Sequence, residues 1–417
     1  MLRLPFFSGF LIVALALALP AHAADGNWPQ WRGANRDDHS TDTGLLKEWP
    51  AGGPPLAWKI TGLGPGYAGV SVAAGRIYTM GDGPGSSYLF ALNEPDGRLL
   101  WKAKVGQPGG GGGYEGPRCT PTVDGELIFA LGQFGDLVCV DTASGTVEWH
   151  KNLETDFGGK MMSGWGYAES PLVDGDHVIC TPGGPQGTIV ALDKKTGAVA
   201  WRTKDFTDNA AYCSLIIAEI GGVRQYIQLT DASVAGVAAA DGKLLWRAPR
   251  VGRTAVIPTP IFHDNQVYVS SGYGVGCNLF GISANGGPFK AEPVYANKVM
   301  SNHHGGVVLV GDDLYGYSDG KGWVCQEFKT GKMTWSEREK LGKGSLTFAD
   351  GHFYLRSEGG PGTVALIVAT PAGYQEKGRF DQPDRSDKNS WPHPVVTGGR
   401  LYLRDQDVLL CYDVRQR

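Results

Sequence analysis

Along most of the chain, short apolar runs of strand length are separated by turns centred on glycine, and the pattern repeats itself. Thr188-Ile-Val-Ala-Leu-Asp-Lys-Lys-Thr-Gly-Ala-Val-Ala-Trp201 gives one apolar run, a turn ending at Gly197, a second run and then tryptophan. Leu89 to Trp101 and Leu137 to Trp149 write the same sentence, and Val237 to Trp246 and Trp323 to Trp335 write it again. Each of these paired runs reads as two strands joined by a tight turn. A strand-rich unit recurring roughly every forty to fifty residues predicts a β-propeller, whose blades need neighbours to bury their faces.

A second turn, just upstream of each unit, counts the blades. The pairs Ala74-Gly75, Asp124-Gly125, Asp174-Gly175, Gly221-Gly222, Asp264-Asn265, Asp312-Asp313, Asp350-Gly351 and Gly398-Gly399 each precede a strand such as Val267-Tyr-Val269. Such pairs favour two-residue hairpins, so the prediction is all-β with eight blades. Two blades lack the tryptophan: an aromatic replaces it around Phe280 to Tyr295, and none stands at the expected place from Val364 to Phe380. Pro55-Leu-Ala-Trp-Lys-Ile60 ends a repeat that it does not begin, while Val408-Leu-Leu-Cys-Tyr-Asp413 begins one that it does not end. A ring closed by strands from both chain ends leaves no free sheet edge. The expected organisation is therefore a signal peptide over residues 1–23, an N-terminal arm over 24–54 and the propeller over 55–417.

Composition adjusts this picture at three points. Sixty-three glycines in 417 residues, about twice the usual share, fit many tight turns in one large repeat domain. Arg3, the apolar core from Pro5 to Leu19, Pro20 and the small-residue site Ala21-His22-Ala23 read as a cleaved secretory signal. No cysteine stands near that site, so the expectation is a periplasmic or secreted monomer with no lipid anchor and no membrane span after cleavage. The formal charge of −4 offers no basic patch for nucleic acid. The arm, with Trp28-Pro-Gln-Trp-Arg-Gly33, is expected to pack on the outside of the propeller.

Seven cysteines permit disulfides in an oxidising compartment, but the odd count leaves at least one thiol unpaired. Cys139, Cys325 and Cys411 occupy equivalent places in their repeats, too far apart to bond, and read as small buried hydrophobes.

The pattern Ala-Leu-Asp-x-x-Thr-Gly-x-x-x-Trp, best matched by Ala191 to Trp201, resembles the pyrroloquinoline quinone (PQQ) repeat. That family includes quinoprotein alcohol dehydrogenases and also non-enzymatic propellers, among them the lipoprotein of the outer-membrane β-barrel assembly machinery. The resemblance spans nearly the whole mature chain and implies fold, not activity. It implies that Trp58, Trp101, Trp149, Trp201, Trp246 and Trp335 dock on neighbouring blades as a girdle. The dehydrogenases hold quinone and calcium at the top of the channel, and calcium needs several oxygen ligands. Where a Gly-rich loop of those enzymes supplies a glutamate, Thr181-Pro-Gly-Gly-Pro-Gln-Gly187 carries Gln186, and their adjacent-cysteine disulfide has no counterpart here. No cofactor is therefore expected. PQQ with calcium stays as the alternative, with Glu169 or Asp231 able to supply a carboxylate from another strand.

The segments leading into the innermost strands should converge on one funnel. They carry Tyr67, Arg118, Tyr167 with Glu169, Tyr212, Pro258, His303 with His304, Ser345, and Trp391 with His393. In Asn302-His-His-Gly-Gly306, strand alternation would let only one histidine face the channel. That histidine, with Glu169 and His393, is a candidate metal or proton-transfer site, and loop-holding hydrogen bonds are the plainer reading. Gln107-Pro-Gly-Gly-Gly-Gly-Gly113 lacks the Gly-Lys-Ser/Thr ending of a phosphate loop and reads as a lid or rim. Three functions follow as expectations: a non-catalytic envelope propeller that binds a protein or peptide partner, a soluble PQQ-dependent alcohol or sugar dehydrogenase, and a metal-dependent enzyme.

Overall fold

All eight predicted hairpins form, and they fix the ring. In the computed structural model, which describes residues 27–284 and 287–416, every hairpin joins the two innermost strands of a four-stranded antiparallel sheet. The signal-like segment 1–23 lies outside the described residues. At Ala74-Gly75, Gly221-Gly222, Asp264-Asn265, Asp350-Gly351 and Gly398-Gly399 both central residues take positive φ. Elsewhere the turn sits one residue from the expected pair, at Gly125-Glu126, Gly175-Asp176 and Gly311-Asp312, and only the glycine is left-handed. Either geometry matches the right-handed twist of the flanking strands.

Blade 1 runs outward as Ser71–Ala73, Arg76–Gly83, Ser86–Asn93 and Leu99–Gly106. Blades 2 to 7 repeat this order, from inner strands Thr122–Asp124, Leu172–Asp174, Ile216–Ile220, Ile261–His263, Val307–Val310 and Gly344–Ala349. Blade 8 begins with Val395–Thr397 and is completed by Leu56–Ile60 from the other end of the chain, paired antiparallel with Val408–Asp413. The fold is thus the eight-bladed, all-β propeller that the repeats predict.

The conserved look of the repeat has a packing cause. Trp101 Nε1–H donates to the Thr142 carbonyl of the next blade at 3.1 Å, and Trp149 to Lys194, Trp201 to Ala239, Trp58 to Glu94 and Trp335 to Thr370 in the same way. Each ring lies over the next blade's outer turn, so the glycine there has no room for a side chain. A Cβ on Gly197 would stand 2.9 Å from the Trp149 ring, and Gly97, Gly145 and Gly242 face the preceding tryptophan likewise. Across the sheet the residue opposite the tryptophan is small: Ala91, Cys139, Ala191, Gly236, Cys325 and Cys411. All seven cysteines are buried free thiols.

Three girdle positions depart from the rule. Trp246 turns inward and donates to Gln225 Oε1 of its own blade instead of to the next one, which corrects the expected docking for that residue. Tyr295 takes the tryptophan's place in blade 5 and donates to the Phe328 carbonyl at 2.8 Å, while the larger Leu279 fills the space opposite. In blade 7 the gap is filled from outside the repeat: Trp49 of the arm packs on Tyr354 and Phe380, with ring centroids 5.7 and 5.5 Å away.

The arm itself is not on the outside. It enters the central channel and touches all eight blades. Trp28 pairs with Val72 of blade 1, and the Pro29 carbonyl accepts from Val123 N–H of blade 2. Arg36 donates to the Ser170, Pro171 and Leu215 carbonyls at the start of blades 3 and 4. Trp31 Nε1–H reaches Thr259 Oγ1 of blade 5, and Arg32 donates to the Val307 carbonyl of blade 6. The Asp38 carbonyl accepts from Phe348 N–H of blade 7, and its carboxylate faces His393 of blade 8. Further on, Asp42 and Leu45 bond at the hairpins of blades 8 and 7, on the face away from the funnel. Polar backbone carbonyls on the inner strands have no water to turn to in a narrow channel. A guanidinium-rich loop satisfies them, which is why this hydrophilic segment is drawn in.

The girdle geometry separates two costs of side-chain addition. Gly75 and Gly197 both have positive φ, +73° and +69°, but only Gly197 is pressed by a ring. We predict that Gly75→Ala lowers unfolding free energy by about 1 kcal/mol through backbone strain. Gly197→Ala should lose about 1–3 kcal/mol more through overpacking on Trp149. Urea denaturation of the two variants checks this, and equal losses would show that the tryptophan does not press on the turn.

Candidate functional site

On the face opposite the eight hairpins, the strand-leading segments and the connections between blades surround a cup. About 980 Å³ of space lies within it, including solvent at its mouth. Its floor is Trp31, at the tip of the inserted arm. Its wall carries Tyr67, Tyr114, Arg118, Trp165, Tyr212, Tyr273, His303, His304 and Trp391, with Ala168, Ser214, Ala255 and Ile257 between them. The aromatics pack on one another: Trp391 lies 4.4 Å from Tyr67 and 4.9 Å from Tyr114, centroid to centroid.

Of the residues expected here, Tyr67, Arg118, Tyr212, His303, His304 and Trp391 do line the cup. Tyr167, Glu169 and His393 do not. Tyr167 is buried with its hydroxyl donating to the Pro182 carbonyl at 3.0 Å. His393 lies under the floor, its Nδ1 3.0 Å from Asp38 Oδ2 and its ring 4.5 Å from Trp31. Glu169 is sealed in the wall of the channel, where Thr181 N–H donates to Oε1 at 2.5 Å and Oε2 has no partner. Pro258 and Ser345 also fall outside the lining, with the Ser345 hydroxyl donating to Pro392. The expected grouping of a funnel histidine with Glu169 and His393 is therefore not formed. No cluster of three or more His, Cys, Asp or Glu side chains placed for a metal ion occurs among the described residues.

Both histidines of the pair line the cup, contrary to strand alternation, because Asn302–Gly306 is a bent loop and not a regular strand. Burial, then the nearby His304 and the Lys343 cation, push His303 down to about 3, so it is neutral. An ammonium only donates, so the 2.6 Å contact from Lys343 Nζ makes His303 Nδ1 an acceptor and puts the ring proton on Nε2. That proton goes to Tyr273 Oη at 3.1 Å, which leaves the tyrosine O–H free to donate. Lys343 is balanced by Asp319 at 3.1 Å.

His304 is lowered chiefly by burial and donates Nε2–H to Glu358 Oε2 at 2.6 Å. Burial alone would raise Glu358, but the bond from His304 and the neighbouring positive charge, with a 3.0 Å bond from Trp391 Nε1–H, hold it below its usual range. His304 Nδ1 is buried without a partner. Glu358 was missed in the sequence because it lies in the turn after an inner-blade strand, away from the strand-leading segments. Tyr114 and Trp165 sit in the long connections between blades, and Tyr273 in a strand-linking loop where its backbone takes φ +55°. The segment Gln107–Gly113 leads directly into Tyr114, which lines the cup.

The donor set does not fit a calcium–quinone pair. None of the cup's lining residues is Asp or Glu, and Gln186 and its loop stand outside the lining. Among the lining side chains calcium would find tyrosine and serine hydroxyls but no carboxylate, the ligand its oxygen shell usually includes.

The sequence profile of the family described as outer membrane protein assembly factor BamB matches residues 85–336. Among solved structures, BamB from Moraxella catarrhalis superposes with a TM-score of 0.61 at 16% identity, over 86% of this chain and 99% of that one. Quinohemoprotein alcohol dehydrogenase from Comamonas testosteroni gives 0.53 at 12% identity, over 95% and 82%. Tetrathionate hydrolase of Acidithiobacillus ferrooxidans is 25% identical over 262 residues, 56% of this chain. The chain spans about half the length of that relative, 46%. The structural likenesses are likenesses of fold.

Glu169 offers a pH readout of the channel wall. Burial raises its carboxyl to about 7, against the bonds from Thr181 and the Arg36 charge that favour the anion. A raised carboxyl is no burden while protonated; its ionisation penalty grows from pH about 4.5 and is complete above pH about 7. We predict that Glu169→Gln gains stability relative to the parent protein as pH rises through that window, by about 3 kcal/mol at most. Urea denaturation at pH 5 and pH 8 reads the difference, and a constant gap would mean an ordinary carboxyl.

Proposed function

The chain belongs to the family described as outer membrane protein assembly factor BamB, and from that premise we propose that it is a binding propeller of the bacterial cell envelope. It is exported by its N-terminal signal and engages a protein or peptide partner through the loop face around the cup. The observation that carries this reading is the cup itself: seven aromatic side chains gathered on one face over a sealed floor. Clustered Trp and Tyr are the side chains that most often anchor interfaces, because they bury large area at small entropic cost. Other exposed apolar residues, such as Leu99 with Leu100, Val147 and Val199, are spread over successive outer strands.

Gentle crosslinking in native envelope extract is expected to capture a partner. The paired substitution Trp165→Ala with Trp391→Ala should reduce capture about tenfold or more, in line with loss of interface anchors. Recovery of no partner, or equal recovery with the variant, overturns the reading. The same protein mixed with PQQ, calcium and an artificial electron acceptor is expected to reduce no dye with alcohols or sugars.

A second reading has one observation in its favour. The His304–Glu358 pair, with its imidazole in the cup lining, joins a base to a carboxylate as proton-transfer dyads do. With the partial match to tetrathionate hydrolase, this makes tetrathionate the substrate to try. Loss of tetrathionate that disappears in His304→Gln would support it, and no consumption retires it.

A further inference from the structure

We propose that the cup is a small-ligand site for an aromatic acid: a flat apolar body held among the wall aromatics, with its carboxylate on Arg118. This goes beyond partner binding at the rim but rests on the same reading of the cup as a binding surface.

Among the described residues, Arg118 is the only formally charged side chain that lines the cup. It is bonded more sparingly than most of the buried arginines; Arg356 also makes only two bonds, to the Arg404 carbonyl and to Gln382, but it does not line the cup. Arg36, Arg250 and Arg404 are each bonded through Nε and both terminal nitrogens, so their donors are spent on the fold. Arg32 and Arg385 hold carboxylates. Arg118 makes two bonds, from Nη1 to the Trp165 carbonyl and from Nη2 to the Tyr114 carbonyl, both 2.8 Å. A guanidinium has five N–H groups, so the remainder are unspent on the cup side. The acid whose charge reaches it, Asp82, already accepts from Ser87 and Gly109.

A half-buried cation with open donors and no paired anion, set in an aromatic cup, is a ready seat for a carboxylate. The two bonds also do something specific: they tie the carbonyls of both rim aromatics to one guanidinium, which presets the fork towards the cup. Aromatic walls by themselves would equally suit an organic cation. Arg118 in the lining weighs against that choice, while Lys343 behind His303 is offset by Asp319. On the far wall, the Lys343–His303–Tyr273 sequence of bonds leaves the Tyr273 O–H as a second donor, and the left-handed backbone at Tyr273 is the kind of local strain that collects at ligand clamps.

Trp31, Trp165 and Trp391 in the lining make intrinsic fluorescence a direct readout, with isothermal calorimetry beside it. The probes are phenylacetate, its uncharged isostere phenylacetamide, and benzyltrimethylammonium, each titrated to about 10 mM, which reaches millimolar dissociation constants. Phenylacetate is expected to bind about tenfold or more tighter than the amide at low salt, and the cation to bind weakest. In Arg118→Met the acid should fall to the affinity of the amide, while the amide is little changed; Arg118→Lys should keep part of the preference. Because Arg118→Met also releases two rim carbonyls, the acid-to-amide ratio on the unaltered protein stands as a test by itself. Equal binding of acid and amide, preference for the cation, binding of none, or an acid preference that survives in Arg118→Met overturns the proposal. None of these outcomes touches capture of a partner from extract, so the two readings fail separately.

Discussion

The ring depends on a buried charge cluster at its centre. Asp38 is wholly enclosed, with Arg32 Nε at 2.5 Å and His393 Nδ1 at 3.0 Å. Burial by itself would raise the Asp38 carboxyl, and the arginine and histidine beside it overcome that and hold it low. Through these three residues the arm is fixed to blades 6, 7 and 8, and through Arg36 and Trp28 to blades 1, 3 and 4. A ring of sheets buries apolar area between neighbours, but nothing in that contact prevents a slow change of pitch or a hollow core. The inserted loop does both jobs, since it satisfies inner-strand carbonyls that face away from their own sheets. Removing one partner from such a cluster leaves an uncompensated charge behind, which is the costly case for buried ion pairs.

How far the sequence announced this varies from element to element. The repeat was fully legible, because tryptophan, turn glycine and small opposite residue are three faces of one contact: the ring needs a carbonyl ahead of it, no Cβ beneath it and little bulk across from it. Gly197 and Ala191 are readable for the same reason as Trp201. Where the contact is made by other means, the reading failed or stayed incomplete. Tyr295 replaces the ring and Leu279 changes size to match, a compensation visible only once register is known. Trp49 fills blade 7 from a segment more than 300 residues distant in sequence, and Trp246 has the motif without the contact.

The arm was misplaced for a physical reason. Its composition, Trp and Arg with Gly and Pro and no periodicity, is that of a surface strap. The feature that draws it inward belongs to the ring: eight inner edges whose carbonyls need donors, a demand that no local window of sequence displays. The cup shows the same division. Residues immediately ahead of an inner strand are placed by the repeat, so Tyr67, Arg118 and Tyr212 were found. Tyr114, Trp165 and Tyr273 ride on connections whose paths the repeat does not set. Glu169 was predicted on the correct segment but on the wrong side of it, two residues after a position whose neighbour Ala168 does reach the cup.

These two halves meet at Trp31. Its ring is the floor of the cup, its indole N–H is spent on Thr259, and its underside rests 4.5 Å from His393, which in turn holds Asp38. A ligand seated on that floor would therefore rest directly on the cluster that holds the blades. It follows that recognition and stability cannot be separated by substitution at the floor: loss of binding in a Trp31 variant would be indistinguishable from loosening of the ring. The wall is different. Arg118 bonds to the Tyr114 and Trp165 carbonyls and Tyr273 to His303, none of them in the arm, so substitutions at these two positions leave the central cluster its partners. The polar groups of the wall at Arg118 and Tyr273 thus stand apart from the contacts on which the ring's centre depends.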